Sequence, residues 1–213
     1  MGSTLFFFAF LLYNKSRLGC DCMKTLFIDT HYDTLIMSYI SDDKVEELKR
    51  NDTRNHSEIA IPTLQELLNV CDVKLEDIDQ IIVVNGPGSF TGVRIGVTIA
   101  KTIAYSLNIK IKTITSLEAI GVSSKENFDI VAVRDSKGVY SALLKNGVYS
   151  DFNYRKNAEF NEYITLNNYE YIEANDYDYL AILNYLQDKD YVNPHAVNPI
   201  YIKEIDALKW SGH

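Results

Sequence analysis

The middle of this chain carries the glycine-rich segment Gly86-Pro87-Gly88-Ser89-Phe90-Thr91-Gly92-Val93-Arg94-Ile95-Gly96. An apolar run, residues 81–84, leads directly into the segment, and a helical pattern begins within it. A strand, a glycine-rich turn and a helix in this order are typical of an anion-binding loop or of a close packing joint. No lysine follows the last glycines, so the segment is not a Walker loop, and its glycine spacing also departs from the dinucleotide fingerprint. The segment therefore indicates an α/β unit and leaves its chemistry open.

The predicted elements around this segment also favour an α/β fold. The pattern predicts helices that start at Ser57, Val93 and Ser116, and strands at residues 25–29, 34–40, 45–49, 80–85 and 109–114. Strands that alternate with helices imply parallel crossover connections. Further strands are predicted at residues 128–133, 139–144 and 148–152, with Asn146-Gly147 as a tight hairpin turn. We therefore predict a first lobe over residues 23–122 and a smaller second lobe over residues 123–213, where no clear apolar period follows Tyr149.

The composition limits the classes of function. The 213 residues are 46% apolar, which is enough for one large domain or two small lobes with real cores. A formal net charge of −8 argues against a protein that binds nucleic acid on its own, so we expect any contact with RNA to be made through another protein. Cys20, Cys22 and Cys71 form no CxxC pair, and the four histidines form no local ligand motif. We therefore expect a reducing, cytoplasmic setting and no metal site.

The first 22 residues differ from the rest of the chain. Their apolar run, residues 5–13, is too short to span a bilayer, and its flanks lack the features of a signal peptide. Met23, by contrast, directly precedes the first predicted strand. We interpret residues 1–22 as an extension from upstream translation or cloning that is not part of the fold. A membrane-tethering segment is the alternative.

The second predicted helix carries a stripe of small residues. Gly92, Gly96, Ala100 and Ala104 recur at every fourth position, which places them close together along the helix. Glycine inside a helix costs about 0.8–1 kcal/mol relative to alanine, so a close contact at Gly96 should offset that cost. Packing of this small-residue stripe on the helix's own sheet and docking of a partner helix on it are both consistent with the pattern.

Three further residues of the glycine-rich segment, Ser89, Thr91 and Arg94, indicate specific contacts. Arg94 lies in the first turn of the predicted helix, where the helix dipole disfavours a cation by about 0.3–1 kcal/mol. This position predicts a nearby anion, which could be a carboxylate of the same fold, a phosphate or an acidic residue of a partner. Ser89 is not centred between glycines as in a nucleophile elbow, so we interpret Ser89 and Thr91 as helix-capping hydroxyls.

Several segments together resemble the TsaB (YeaZ) family, which is related to the glycoprotease-like (M22) protein TsaD. They are Met23-Lys24-Thr25-Leu26-Phe27-Ile28-Asp29-Thr30, Asn55-His56-Ser57, the glycine-rich segment, Thr115-Ser116-Leu117-Glu118-Ala119, and Asn198-Pro199-Ile200-Tyr201-Ile202, which looks like the family's final strand. The resemblance runs over residues 23–144. It implies an α/β, actin-like ATPase (ribonuclease H-like) fold, with a mixed β-sheet flanked by helices in the first lobe and a smaller, truncated second lobe.

The resemblance also implies a function and partners. Such a protein would be a non-catalytic subunit that binds TsaD, which carries the metal and the transfer chemistry, in forming threonylcarbamoyladenosine beside the tRNA anticodon. The ATPase TsaE would join the assembly, and the chain would homodimerise when alone. No cofactor is intrinsic, and ATP or ADP with magnesium is expected only in the assembled complex. Pairing through the first-lobe helices predicts an interface made by Ile61, Leu64, Leu68, Gly92, Gly96, Ala100 and Ala104.

A nucleotide-dependent phosphotransferase or ATPase of the same superfold is the alternative. It would place phosphate at the glycine loop, meaning Gly86, Gly88, Ser89, Thr91, Gly92 and Arg94, with Asp29 directing magnesium. The turn after Asp29 has no glycine through which backbone amides could reach phosphate, so capping of the turn by Asp29 is favoured. The family usually has Asp-Thr-Ser where this chain has Asp29-Thr30-His31, and an acidic Asp-Ala-Arg turn where this chain has residues 133–138.

Overall fold

The structure is a computed structural model that describes residues 23–51, 55–173 and 176–202. The predicted extension, residues 1–22, lies outside the described residues. Two sheets form the framework. Their strands are β1 (Thr25–Asp29), β2 (Thr34–Ile40), β3 (Val45–Asn51), β4 (Gln80–Val84), β5 (Lys110–Ile114), β6 (Ile130–Arg134), β7 (Gly138–Lys145), β8 (Val148–Lys156) and β9 (Tyr171–Ile172). The α-helices in the described part of the chain are α1 (His56–Cys71), α2 (Phe90–Leu107), α3 (Ser116–Ser123), α4 (Asn157–Asn167) and α5 (Tyr179–Leu186).

The first sheet has the strand order β3-β2-β1-β4-β5. Strands β1, β2 and β3 pair antiparallel, because short turns join them, while β4 pairs parallel with both β1 and β5 across helical connections. Strands β1 and β4 are buried along their whole length, which explains why their sequences lack an alternating pattern. The predicted meander and crossovers of the first lobe are confirmed.

Helices cover both faces of the first sheet. On one face, α1 and α2 pack through Leu67 and Val97 onto side chains of β1, β2 and β4. On the other face, Ala119 of α3 and Ile182 of α5 pack against Phe27. Helices α1 and α2 therefore lie side by side on the same face of the sheet, and each has a side that points away from it.

The second sheet has the strand order β8-β7-β6-β9. The predicted hairpin turn is confirmed, because Asn146 and Gly147 have positive φ angles of 51° and 76°. Phe160 of α4 packs on one face of this sheet, and Leu117 of α3 packs on the other. Helix α3 therefore contributes to the cores of both sheets.

The C-terminal part of the described chain departs from the prediction. Residues 176–202 were expected in the second lobe, yet α5 packs on the first sheet, Val197 joins the α1–α2 core, and the backbone N–H of Val192 donates to Ile111 O at 2.9 Å. The predicted final strand, residues 198–202, is wrong, since these residues form no strand. Pro199 has no N–H to donate, and the segment is joined to Asn85, which follows β4, by two hydrogen bonds. Ile200 N donates to Asn85 O at 2.8 Å, and Asn85 Nδ2 donates to Asn198 O at 3.3 Å.

Candidate functional site

The glycine loop is a packing joint between β4, α2 and the turn after β1. Gly86 has a φ of 96°, and the Gly86–Pro87 peptide is cis. A Cβ atom at Gly88 would lie 2.2 Å from the carbonyl oxygen of His31, to which the backbone N–H of Ser89 donates at 2.7 Å. The space beside Gly88 that a phosphate would need is therefore filled by the protein's own turn. Ser89 caps α2 as predicted, since its Oγ accepts from Gly92 N at 3.2 Å.

The small-residue stripe faces inward, which decides between its two interpretations. A Cβ atom at Gly92 would lie 2.1 Å from Thr30 O, and one at Gly96 would lie 2.3 Å from Thr30 Oγ1. Thr30 Oγ1 donates to Gly92 O at 2.7 Å and accepts from Gly96 N at 3.1 Å. Ala100 and Ala104 are buried in the same core. The prediction that Gly92, Gly96, Ala100 and Ala104 face a partner is corrected, because the turn after β1 covers the two glycines and the hydrophobic core covers the two alanines.

The other predicted interface residues, all on α1, divide in the same way. Leu64 is buried in the α1–α2 core, so its placement at an exposed face is also corrected. Leu68 is partly buried against that core. Ile61 is 46% exposed and points away from the sheet, as expected for a residue available to a partner. The exposed surface of these helices is therefore centred on Ile61 and on the outward side of α2.

An open groove runs between α1 and α2 on that outward side. It has a volume of about 420 Å³, and its lining is mostly apolar. The residues that line it, called the α1–α2 groove below, are Ser57, Ile61, Phe90, Thr91, Arg94, Ile95, Thr98 and Ile99. Phe90 remains 44% exposed there. A contiguous apolar groove of this kind on two anchored helices is typical of a protein–protein contact surface. Thr91, predicted as a capping hydroxyl, instead lines this groove.

Arg94 lies in the groove on two aromatic rings. Its guanidinium carbon is 3.8 Å from the ring centroid of Phe90 and 5.5 Å from that of Tyr201. Its Nε donates to the hydroxyl of Tyr201 at 2.6 Å. Among the described residues Arg94 forms no ion pair, so the carboxylate of the same fold that its position predicted is absent there. The aromatic rings hold the guanidinium in place without neutralising it.

Asp29 lies at the end of β1 with both carboxylate oxygens engaged. Oδ1 accepts from the backbone N–H of His31 at 2.9 Å and lies 2.7 Å from His31 Nδ1, while Oδ2 accepts from the hydroxyl of Tyr177 at 2.7 Å. Burial alone would raise the pKa of Asp29, but the contacts with His31 and Tyr177 hold that pKa below its usual value. The predicted turn capping is confirmed by the His31 bond. The hydroxyl of Tyr177 satisfies the other carboxylate oxygen, Oδ2, by donating a hydrogen bond to it.

Two cavities open beside the turn that follows β1. One, of about 370 Å³, has Lys49 and Asn51 in its wall, and Asp29 and Tyr177 form part of its floor. The other, of about 130 Å³, lies between His31 and Arg134. The Nε of Arg134 is 2.7 Å from Glu173 Oε1, so the cation at this second cavity is already paired.

The hairpin that replaces the family's acidic turn holds its carboxylate locally. Asp135 Oδ1 accepts from the backbone N–H groups of Lys137 and Gly138 at 2.7 and 2.8 Å. It also accepts from the hydroxyl of Tyr154 at 2.9 Å. The side chain therefore stabilises the β6–β7 turn and β8, as expected for an aspartate that caps a tight turn.

Two other kinds of site are absent from the described residues. Residues 23–51, 55–173 and 176–202 contain no cluster of three or more histidine, cysteine or acidic side chains arranged to hold a metal ion. Over the same ranges, no helix combines the length and apolar character needed to cross a bilayer.

Sequence reasoning missed Tyr177 and Tyr201, the residues that complete the two sites. Tyr177 is separated from Asp29 by more than half of the chain, and Tyr201 lies near the end of the described residues. Both belong to a tyrosine-rich region without helical or strand periodicity, so no local pattern distinguished them from their neighbours. The only signal for Tyr201 was its place in the segment that resembles the family's C-terminus.

Comparisons with known proteins agree with this fold. A family model described as "TsaD: tRNA N6-adenosine threonylcarbamoyltransferase" matches residues 49–170. The tRNA threonylcarbamoyladenosine biosynthesis protein TsaB of Bacillus subtilis is 42% identical over 133 residues, which cover 59% of this chain and 58% of that protein. TsaB of Escherichia coli is 32% identical over 95 residues, which cover 45% of this chain and 41% of that protein. The chain thus spans less than two thirds of the length of these curated relatives.

Solved structures show the same fold over a longer range. YeaZ from Pseudomonas aeruginosa superposes with a TM-score of 0.68 at 17% identity, covering 84% of this chain and 99% of that chain. A crystal structure of an uncharacterized protein from the same organism, with similarity to peptidase YeaZ, gives a TM-score of 0.69 at 17% identity, covering 85% of this chain and 100% of that chain. The predicted actin-like α/β fold is confirmed. Because the family model spans more than half of the chain, the chain belongs to this TsaD-type family, and its TsaB homologues identify it as a member of the TsaB (YeaZ) group.

Proposed function

We propose that this chain is a non-catalytic subunit in the formation of threonylcarbamoyladenosine in tRNA, and that it docks a TsaD-type protein on the α1–α2 groove. The observation that carries the proposal is the groove itself, which presents apolar side chains on two helices whose inner faces are fully packed. The names of the TsaB relatives supply the pathway. The family resemblance supplies the mode of pairing, through these same helices.

The packing beneath the groove supports a docking role. Gly92 and Gly96 hold α2 against Thr30, and Val97 and Leu67 anchor both helices on the sheet. A partner would therefore meet a surface that is already ordered, which lowers the entropic cost of association. The exposed apolar side chains Ile61 and Phe90 would leave water when the partner docks.

The state of Asp29 supports the non-catalytic part of the proposal. A magnesium-directing carboxylate needs free oxygens, and both oxygens of Asp29 already accept hydrogen bonds from within the chain. Releasing Tyr177 would leave a buried hydroxyl unpaired, at a cost of about 1–3 kcal/mol. The glycine loop, the other half of the alternative phosphate site, packs against His31. These contacts argue against a phosphotransferase or ATPase acting through this chain alone.

The remaining parts of the proposal follow from the family resemblance. We place a TsaE-like ATPase in the assembly, contact with tRNA through the other subunits, and ATP or ADP with magnesium only in the assembled complex. In the absence of a TsaD-type partner, the α1–α2 groove would pair with a second copy of the chain. Because the pathway modifies tRNA, we also propose a cytoplasmic location.

The substitution Ile61→Arg tests the docking face. It places a charge among the apolar side chains of the α1–α2 groove, where the partner would have to desolvate it. We expect size-exclusion chromatography with the TsaD-type subunit to show separate peaks, while the melting temperature of the chain alone is unchanged. Leu166→Arg is the matched control, since Leu166 is 76% exposed on α4. An intact complex with Ile61→Arg, or an equal loss with Leu166→Arg, would count against the proposal.

Calorimetry separates the proposal from the alternative. We expect no heat of binding when magnesium and ATP are titrated into the chain alone. Binding that is present in the wild-type chain and lost in Asp29→Asn would instead support the ATPase.

A further inference from the structure

Among the described residues that line the α1–α2 groove, Arg94 carries the only charged side chain. The other lining residues are aliphatic, aromatic or hydroxyl-bearing. A partner that covers the groove must remove this guanidinium from much of its water. Removing a lone charge from water costs several kcal/mol unless an opposite charge meets it.

The guanidinium is held in a defined orientation with one edge open. The ring of Phe90 supports it at 3.8 Å, and Nε donates to Tyr201. The two terminal amino groups donate no hydrogen bond to any residue within the described ranges. An arginine fork of this kind matches the two oxygens of a carboxylate, which it binds with two parallel hydrogen bonds.

The surroundings of Arg94 on the helix argue in the same direction. Helix α2 begins at Phe90 rather than at Val93, so Arg94 is its fifth residue, beyond the first turn, and the helix dipole disfavours its cation only weakly. The first turn of α2 contains no acidic residue to compensate. Arg94 therefore has no carboxylate partner among the described residues, and its ordered fork points to a counter-ion that arrives with a binding partner.

We propose that the partner docked on the α1–α2 groove contributes a carboxylate that pairs with Arg94, surrounded by apolar side chains that cover Ile61, Phe90 and Ile99. This inference rests on the proposed function and specifies the chemistry of the docked surface. The apolar contacts supply most of the buried area. The carboxylate fixes the position of the partner along the groove, because a positive or a neutral group opposite Arg94 is disfavoured.

The test measures the dissociation constant between the full chain and the TsaD-type subunit by calorimetry. Arg94→Gln and Arg94→Met remove the charge, and Met keeps an unbranched apolar stem over Phe90. We expect both to weaken binding by about 30-fold or more, since truncating one member of a desolvated charge pair leaves the other unpaired. We expect Arg94→Glu to bind the TsaD-type subunit even more weakly, because its carboxylate would face the partner's carboxylate.

Lys125→Gln is the matched control, because Lys125 is exposed outside the groove and its removal changes the net charge by the same amount. We expect Lys125→Gln to bind the TsaD-type subunit with the same dissociation constant as the wild-type chain. Binding of Arg94→Gln and Arg94→Met within about threefold of wild type would overturn the inference. The proposed function would still stand if Ile61→Arg abolished the same complex.

Two other sources of the carboxylate are distinguished by further variants. Glu204 and Asp206 follow Tyr201 in the sequence and lie outside the described residues. If Arg94→Gln loses its effect in the chain carrying Glu204→Gln and Asp206→Asn, the carboxylate belongs to this chain. If Glu58→Gln weakens self-association as much as Arg94→Gln does, while neither alters binding of the TsaD-type subunit, a second copy supplies it. Either result overturns the assignment to the TsaD-type partner.

Discussion

Asp29 is a buried carboxylate whose charge is stabilised by side chains from two distant parts of the chain. His31 follows it in the turn, and Tyr177 arrives from the segment that precedes α5. Burial and the nearby Asp29 charge raise the pKa of the Tyr177 hydroxyl well above its ordinary value, so this group remains a donor. The sequence predicted the local half of this arrangement, because aspartate commonly caps turns. The Tyr177 half depends on tertiary packing and left no local signal.

The substitution Asp29→Asn should reduce stability in a pH-dependent way. The pKa of Asp29 is lowered in the folded protein, so its contribution is fully present above the unfolded value of about 3.9 and is lost as pH falls through the folded value. At pH 7 we expect a loss of about 1–3 kcal/mol. Urea unfolding across a pH series should show the gap to wild type narrowing below pH of about 4.

Asp43→Asn provides the comparison for that series, because Asp43 is exposed in the β2–β3 turn. Its unfolding curves should follow those of wild type at every pH. A gap for Asp29→Asn that is constant with pH would show that the charge of Asp29 does not contribute to stability.

At the scale of single elements, α2 shows what a period-four pattern does and does not specify. The repeat of small residues predicted a helix with a close contact, and both features are present. The pattern could not specify whether the stripe faces the protein's own core or a partner, since small residues serve internal packing and partner docking equally well. Thr30, which is distant in sequence, decides the direction through its two hydrogen bonds to α2.

The substitution Gly96→Ala should destabilise the protein although alanine is the better helix former. The gain in helix propensity is about 0.8–1 kcal/mol, but the new Cβ would lie 2.3 Å from Thr30 Oγ1. Overpacking of this kind costs about 1–3 kcal/mol, and the lost bond from Gly96 N adds to it. We expect a net loss of stability in chemical denaturation.

A double-mutant cycle with Thr30→Ala isolates this contact. Removing Oγ1 relieves the clash, so the double variant should be more stable than the sum of the single losses implies. Thr98→Ala, on the exposed side of α2, should stay within about 0.5 kcal/mol of wild type. Additive losses in the cycle would mean that Thr30 does not restrict the space at Gly96.

Helices α4 and α5 illustrate why other elements escaped prediction. The buried positions of α5 are Tyr179, Ile182 and Leu186, which do follow helical spacing. The helix has only eight residues, and the surrounding sequence mixes tyrosine with polar residues, so the period is too brief to stand out. Helix α4 buries a single residue, Phe160, and therefore has almost no apolar face to recognise.

At the scale of the whole molecule, helix α3 and the C-terminal part of the described chain connect the two sheets. Helix α3 contributes to the cores of both sheets, and the chain from Tyr177 to Val197 returns to the first sheet after the second is complete. The order of elements in the first lobe could be predicted from local patterns. The packing of the C-terminal segment on the first sheet could not be predicted in this way, because it depends on which apolar face of that sheet the other elements leave uncovered.

The substitution Leu186→Ala should therefore destabilise the molecule as a whole. Leu186 is 1% exposed and packs under the first sheet, so its truncation should cost about 2–5 kcal/mol. Hydrogen exchange should show faster opening of amides in both sheets. Leu166→Ala is the same change at an exposed site and should be close to neutral. Faster exchange confined to the first sheet would indicate two independent folding units.

The late return of α5 also has a consequence during synthesis on the ribosome. The face of the first sheet around Phe27 is completed by α5, which is translated long after β5. At about 5–20 residues per second, α5 follows β5 by roughly 4–14 s. For that interval the nascent chain displays an uncovered aromatic and aliphatic surface. We therefore expect chaperones that act near the tunnel exit to bind this surface of the growing polypeptide.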